Sequence, residues 1–356
     1  NRTQKEATDV ADEIFSKLDN KKNNKTLSGT EAFILYDTYG FPIEITTEIC
    51  NENGISVDQK DFIQIMNKQK EFSRNSNERS SVGESQKLYS SLNLDPTEFT
   101  GYETLESQSK IIAIIKDNKI VDKVDSGDDI EIILDKTPFY AERGGQIGDT
   151  GNLIQGNSKI EINDTVTPYG NIYIHKAKLI NGSLNINEKV RSIVNYQRRE
   201  NLRRNHTATH LVHAALREII GTHVRQSGSL VHPDYLRFDF TSLEGLSKES
   251  IKEVEDRVNL SIRKNIDVEV HYTTYNKAIE EGALAFFDEK YDHEVRTIKI
   301  DAPWSYELCG GTHMDSTGGI GLFKIVSENG IGSGNRRLFA TTGLGTEDLV
   351  DEKINI

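Results

Sequence analysis

Two short motifs concentrate the metal-binding chemistry of this chain. His206 and His210 stand four positions apart in RRNHTATHLVHAALREII, and Cys309 and His313 stand four apart in ELCGGTHM. On an amphipathic helix, residues at i and i+4 share a face, so the two imidazoles of the first motif can reach one point. In the second motif Gly310 and Gly311 separate thiol from imidazole, which suits a tight turn folding both toward that point. Imidazole nitrogens plus a thiolate make a soft tetrahedral donor set, and Zn2+ is the ion such a set prefers. Spacing does not distinguish a closed structural shell from one that keeps a position for water or substrate. His213, one turn beyond His210, reads as a packed core histidine. His175, His223, His232, His271 and His293 have no partner at ligand spacing.

The elements that must position these residues are spread along 356 residues, enough for two or three domains with separate cores. No apolar run approaches membrane-spanning length and the mean hydropathy is −0.55, so a soluble protein without a membrane partner is expected. Two cysteines, Cys50 and Cys309, cannot build a disulfide framework and read as reduced thiols, which points to the cytoplasm. A net charge of −13 argues against a simple basic nucleic-acid binder, although a local basic cluster can override the total. The chain opens on Asn1 and a charged helical pattern, with neither an initiator Met nor a signal peptide, as expected of a piece of a longer protein.

The pattern predicts an α+β protein: a short helical N-terminal segment over residues 1–80, a small β-barrel over 81–200, an α+β zinc domain with an antiparallel sheet over 201–345, and the start of a linker over 346–356. Helical spacing covers residues 1–20, then Leu27 to Thr47 with Ser28 as cap and Gly40-Phe41-Pro42 as a stop, then Gln59 to Arg74. NSNERSSVGESQ reads as a linker. From Leu88 to Val194, short alternating segments such as IIAIIKD and IEIILD are separated by turn pairs at Asp117-Asn118, Ser126-Gly127 and Asn181-Gly182. Within this region Gly144, Gly145, Gly148 and Gly151 crowd one loop, either a bulged hairpin or a backbone that must approach a ligand. Beyond Asn201 the pattern gives a helix over 206–220, strands around 228–231 and 235–240, a helix from Ser247 to Lys264, strands over 266–272 and 295–300, helical segments between Asn276 and Tyr291, and two last strands around glycine-rich turns.

Several of these segments together resemble the alanyl-tRNA synthetase family. They are LYDTYGFPIEIT at 35–46, FYAERGGQIGDTG at 139–151, RNHTATHLVHAALRE at 204–218, HVRQSGSLV at 223–231, CGGTH at 309–313 and the terminal NRRLFATTG. The resemblance implies the end of the tRNA-recognition region, the barrel and the editing domain. The aminoacylation core is expected before Asn1, and the oligomerisation and tRNA-binding region after Ile356. It further implies hydrolysis of tRNA(Ala) wrongly charged with serine or glycine, zinc on His206, His210, Cys309 and His313, and roles in editing and amino-acid recognition for Thr209 and Gln226. LYDTYGFPIEIT favours this family over a free-standing editing protein or the related domain of threonyl-tRNA synthetase. A non-catalytic zinc-stabilised RNA-binding module is the reading from another class.

The chemistry constrains the pocket. Serine is larger than alanine, so size alone cannot admit one and exclude the other, and the site must recognise the hydroxyl. Thr207, Thr209, Gln226, Ser227 and the metal are the candidates; the family pattern and the position beside His210 favour Thr209. In LRFDF, Asp239 shares a strand face with Arg237, and serves either to orient an imidazole or a water, or as half of an Arg-Asp pair. Arg198, Arg199, Arg203 and Arg204 lead into the zinc helix, and Arg336 and Arg337 lie near the end of the domain. With Gly144 and Gly145 they form the expected surface for the acceptor end, the alternative being a solvated helix face paired with Glu200 and Glu218.

Overall fold

A sheet with one apolar face must bury it, and closing the sheet on itself does so without leaving an edge. The computed structural model describes residues 26–37, 43–52, 54–66, 88–92, 94–285, 293–332 and 334–354. At its centre six strands close a barrel: β1 (Glu106–Lys116), β2 (Asp129–Leu134), β3 (Gly151–Gln155), β4 (Ser158–Tyr169), β5 (Ile172–Asn181) and β6 (Lys189–Val194). They follow the order β6-β3-β4-β5-β2-β1, every neighbouring pair is antiparallel, and β6 returns to pair with β1. Strand alternation fills the interior with Ile111, Ile132, Leu134, Leu153, Ile160, Ile162, Leu179 and Val190. Two of the turn pairs read from the sequence, Asp117-Asn118 and Ser126-Gly127, are turns; of the third, Asn181 ends β5 and Gly182 is a bend. Asp117 and Asn118 both take positive φ, 51° and 57°, the conformation a two-residue hairpin requires, and Gly127 and Gly182 lie at φ 97° and 85°.

Ahead of the barrel, α1 (Gly29–Asp37) and α2 (Ile43–Glu52) enclose a small core of Leu27, Ala32, Leu35, Cys50, Ile55 and Phe62. Ser28 caps α1 as expected: its hydroxyl accepts from the Glu31 amide at 3.2 Å while the Glu31 carboxylate accepts from the Ser28 amide at 3.0 Å. Burial pushes the Cys50 thiol up to about 11 and leaves it a packing group. The expected helix over 1–20, the stop at Gly40-Phe41-Pro42, the linker and the end of the helix beyond Met66 lie outside the described residues.

After the barrel, α3 (Tyr196–Ile219) and α4 (Lys248–Arg263) lie on the antiparallel sheet β7 (Gln226–Val231), β8 (Leu236–Thr241), β12 (Phe323–Gly332) and β13 (Asn335–Thr342), in the order β7-β8-β13-β12. A second sheet joins β9 (Glu269–Thr274), β10 (Glu294–Ile300) and β11 (Ser305–Leu308). Leu211, Val212, Ala215 and Leu216 of α3 meet Val254 and Val258 of α4 and Leu236, Phe238 and Phe240 of β8 in one core. The α+β architecture read from the sequence is thus the observed one. Among the described residues no helix is long and apolar enough to cross a membrane.

Four local differences have physical reasons. The helix expected from 206 begins ten residues earlier, because Asn195 caps it through the Arg198 amide at 3.1 Å and its first turns bury Arg199 instead of an apolar stripe. The expected boundary at 200/201 therefore falls inside α3. The strand expected at 266–272 runs from Glu269 to Thr274, because the amides of Ile266 and Val268 are bonded to Thr317 and Asp315. The residues expected to begin a linker instead lie in helix Leu344–Ile354, where Thr346 meets Thr341 at 2.9 Å.

His175 yields a test of the barrel. It is buried, with Nδ1 on the Ile132 carbonyl at 3.0 Å and Nε2 on the Thr137 hydroxyl at 2.8 Å. Burial holds it at about 4, below its ordinary 6.5, and the carbonyl bond only partly offsets this. Below pH 6.5 the unfolded chain therefore takes up a proton that the folded chain refuses, so stability falls as pH drops toward 4. Denaturant unfolding should lose on the order of 2 kcal/mol between pH 7 and pH 5, and His175→Gln should remove most of that slope. An unchanged slope in the variant would contradict this.

Candidate metal centre

The centre is built where one face of α3 meets the turn after β11. His206 and His210 stack on that face with ring centroids 5.5 Å apart and planes 4° from parallel, and the His313 ring closes on them at 4.4 and 4.9 Å. The donor atoms of His206, His210, Cys309 and His313 all lie within 4.8 Å of one another. Cys309 Sγ is 3.3 Å from Nε2 of both His206 and His313. The turn is pinned from outside, since Arg296 donates to the carbonyls of Cys309 and Gly311 at 2.8 and 3.0 Å and the Tyr102 hydroxyl donates to Gly310. Gly311 is required because a Cβ there would come within 1.9 Å of the His206 ring.

Each imidazole has a partner on its far nitrogen. His206 Nδ1 meets Gln146 Oε1 at 2.8 Å, His210 Nδ1 meets Glu307 at 2.5 Å, and His313 Nδ1 is 3.4 Å from the Thr207 hydroxyl. Such partners fix the ring and turn Nε2 toward a common centre. His210 Nε2 is buried with no protein partner, as expected of an atom facing an ion. The edges of a tetrahedral zinc site with nitrogen and sulfur ligands are about 3.3 to 3.6 Å, close to the two sulfur contacts, and the donor set fits that ion in chemistry. Burial alone would raise the Cys309 thiol, but the neighbouring His206 and His313 outweigh it and hold the group well below its usual range, as thiolate. Burial would likewise raise the Glu307 carboxyl, but His210 and His213 hold it at about 2.

The other expected site residues fall into several places. Thr209 is buried and its hydroxyl donates to the Asn205 carbonyl at 2.8 Å; Thr207 does the same to Arg203, and also accepts from the Met314 amide. Gln226 begins β7 and donates to Ser229 at 3.2 Å, and Ser229 packs against Gly145 of the glycine-rich loop. Among the described residues Asp239 meets no imidazole: Arg337 holds it by two bonds at 2.7 and 2.8 Å, with Arg237 beside it at 3.4 Å. The expected orienting role falls to Glu307, whose two oxygens take His210 and His213. Only its place could have hinted at this, since Glu307 stands two residues before Cys309 at the end of β11. The glycine-rich loop that carries Gln146 was marked in the sequence by its glycines, but nothing there singled out the glutamine itself.

The arginines divide. Arg199 is 1% exposed and sealed against Asp149, so its guanidinium is unavailable to a phosphate, contrary to the expectation for the basic cluster. Arg203 is spent on Glu200, Asp315 and the His313 carbonyl, and Arg336 on Glu328. Glu218, the other expected partner, pairs with Arg257. Arg198 and Arg204 donate to carbonyls and to Asn201, and among the described residues neither meets a carboxylate. Gly144 and Gly145 take positive φ, and Gly145 lies so close to Ser229 that a Cβ would collide.

Comparison with known proteins agrees with this layout. A family model described as tRNA synthetases class II (A) matches residues 2–198, and one described as Threonyl and Alanyl tRNA synthetase second additional domain matches residues 295–339. The alanine–tRNA ligase of Thermoanaerobacter sp. strain X514 is 46% identical over 337 residues, 94% of this chain and 38% of that protein. The chain belongs to the alanyl-tRNA synthetase family. Further alanine–tRNA ligases match from Natranaerobius thermophilus, 42% identical over 99% of this chain and 40% of that protein, and from Fervidobacterium nodosum, 46% identical over 92% and 38%. The chain spans about two fifths of the length of these curated relatives. Of the four clustered residues, Cys309 and His313 lie within the second matched region, whereas His206 and His210 fall between the two.

The expected outcome of metal titration is one tightly held Zn2+ per chain, with Co2+ giving the thiolate-to-metal absorption of a tetrahedral site. Cys309→Ala should abolish that absorption and weaken Zn2+ by more than the roughly 10- to 100-fold typical of losing an outer partner. Retention of parent affinity in Cys309→Ala would exclude the cluster as the site.

Proposed function

We propose that this chain is the editing part of an alanyl-tRNA synthetase, hydrolysing the ester that joins serine or glycine to tRNA(Ala), with Zn2+ on His206, His210, Cys309 and His313. The convergence of these four donors, each imidazole backed by a polar partner, carries the reading. A match to the additional domain of threonyl and alanyl synthetases supports it. When bound on these four residues, the ion would supply positive charge able to polarise a carbonyl or a water. An aminoacyl ester is already activated, so hydrolysis needs an oriented water and a stabilised oxyanion and no covalent nucleophile. Cys309 is held among imidazoles and is better used as a ligand than as an attacking group. ATP-dependent attachment of alanine is proposed for the whole protein, and cytoplasmic translation as its setting.

Selection for serine is assigned to Gln226 and Thr209. The Thr209 hydroxyl spends its proton on Asn205 and keeps lone pairs to accept a bond; the Gln226 amide nitrogen is engaged by Ser229 and its oxygen can accept another. Alanine leaves such acceptors unpaired, which disfavours it relative to serine; the contact accounts for the seryl ester and not for the glycyl one. Arg198 and Arg204, uncompensated by carboxylates, are the arginines proposed for phosphates of the acceptor end.

Two outcomes test the reading. The chain alone should deacylate Ser-tRNA(Ala) much faster than Ala-tRNA(Ala); binding of tRNA without deacylation would favour a zinc-stabilised RNA-binding module. Gln226→Ala and Thr209→Val should each lose roughly one to two decades of seryl-over-alanyl discrimination at normal zinc content, the kinetic equivalent of about 1 to 3 kcal/mol for an unpaired buried polar group. A ratio equal to the parent's in both variants would place selectivity elsewhere.

A further inference from the structure

Gln146 belongs to the glycine-rich loop of the barrel, 60 residues ahead of the ligand it touches. It is wholly buried, and its backbone is fixed on both sides. The loop pairs with β7 through Val231, whose amide donates to Gly145 at 2.7 Å and whose carbonyl accepts from Ile147 at 3.3 Å. Gly145, at φ 81°, allows the loop to lie this close, since any Cβ would strike Ser229. The side-chain amide thereby reaches across from the barrel into the metal centre.

The orientation of that amide follows from its neighbours. One of its end atoms lies 3.0 Å from the backbone nitrogen of Thr312, which can only donate, so that atom is the carbonyl oxygen Oε1. The amide nitrogen then donates to the Thr312 hydroxyl at 3.0 Å. The same Oε1 lies 2.8 Å from His206 Nδ1. An amide oxygen cannot donate, so Nδ1 carries a proton; in the neutral ring that metal binding requires, the lone pair is therefore on Nε2, the atom facing Cys309 at 3.3 Å.

We propose that Gln146 is a positioning residue of the metal centre: the barrel loop, by presenting one amide to both Thr312 and His206, holds His206 in the tautomer that can ligate. The donor set is thus braced by a residue of the barrel loop, and docking of the loop on β7 and readiness for metal become one event. The inference rests on the metal reading above and adds a residue that lies in neither ligand motif.

The test uses the full chain with two substitutions, Gln146→Met and Gln146→Glu. Methionine keeps the bulk and removes the acceptor; glutamate keeps an acceptor for both donors. In metal-free protein labelled with [15N]histidine, the parent should show His206 protonated at Nδ1, Gln146→Glu should keep that state, and Gln146→Met should release the ring to the other tautomer or a mixture. By competition with a chromophoric chelator, Gln146→Met should bind Zn2+ roughly 10- to 100-fold more weakly than the parent, and Gln146→Glu at least as tightly as the parent. Parent-like affinity or an unchanged tautomer in Gln146→Met overturns the proposal. So does an affinity in Gln146→Glu as low as in Gln146→Met, which would reduce Gln146 to a packing role. A parent chain that takes up no Zn2+ overturns the metal reading, and the ring tautomer still decides for or against Gln146.

Discussion

The arrangement depends first on a guanidinium with no access to water. Arg199 sits in the first turns of α3, is 1% exposed, and closes an ion pair with Asp149 of the glycine-rich loop while donating to the carbonyls of Gly101 and Pro138 at 2.7 and 2.8 Å. Asp149 in turn accepts from the Tyr140 amide at 2.7 Å. Burying a charge is costly unless it is paired and its remaining donors are satisfied, and removing one partner of such a pair costs about 3 to 5 kcal/mol. Three separate barrel segments and the helix are thereby obliged to meet in one geometry. The loop that Asp149 anchors is the same loop that delivers Gln146, so the ion pair fixes two sides of the metal centre together.

Within the centre, single polar groups serve more than one neighbour. Glu307 serves two histidines, His210 and His213, one on each oxygen. His213 is therefore tied to the ligand network through a carboxylate, and its ring also lies against Phe238 of the domain core. Thr207 likewise does two things, bonding back to its own helix and receiving the Met314 amide from the ligand turn. Helix, turn and carboxylate hold one another, which keeps the donor atoms together against the mutual repulsion of buried imidazoles.

Local signals in the sequence carried far. The ligand motifs, the cap at Ser28, the hairpin at Asp117-Asn118 and the helix from Ser247 follow from neighbours a few residues apart, and the structure has them where spacing put them. What was not legible depends on partners distant in the chain. The early start of α3 was hidden because its inward face is an arginine, whose burial makes sense only once Asp149 is beside it. Asp239 could not be assigned between an imidazole and an arginine without knowing that β8 pairs with β13 and so brings Arg337 opposite. The strand expected at 266–272 moved because its first amides are claimed by the loop at 315–317.

The passage from barrel to helix contains no slack: β6 ends at Val194, Asn195 caps, and α3 begins at Tyr196. Arg199 and His206 then belong to one rigid rod, the first locked to the barrel and the second aimed at the ligand turn. A helix advances about 100° per residue, so the two are related by a fixed angular phase. One residue inserted or deleted between them would leave Arg199 in place and swing the ligand face about a quarter-turn away from Gln146 and Cys309. The stretch Glu200 to Asn205 contributes none of the four clustered side chains, yet its length sets the angle at which they face the turn.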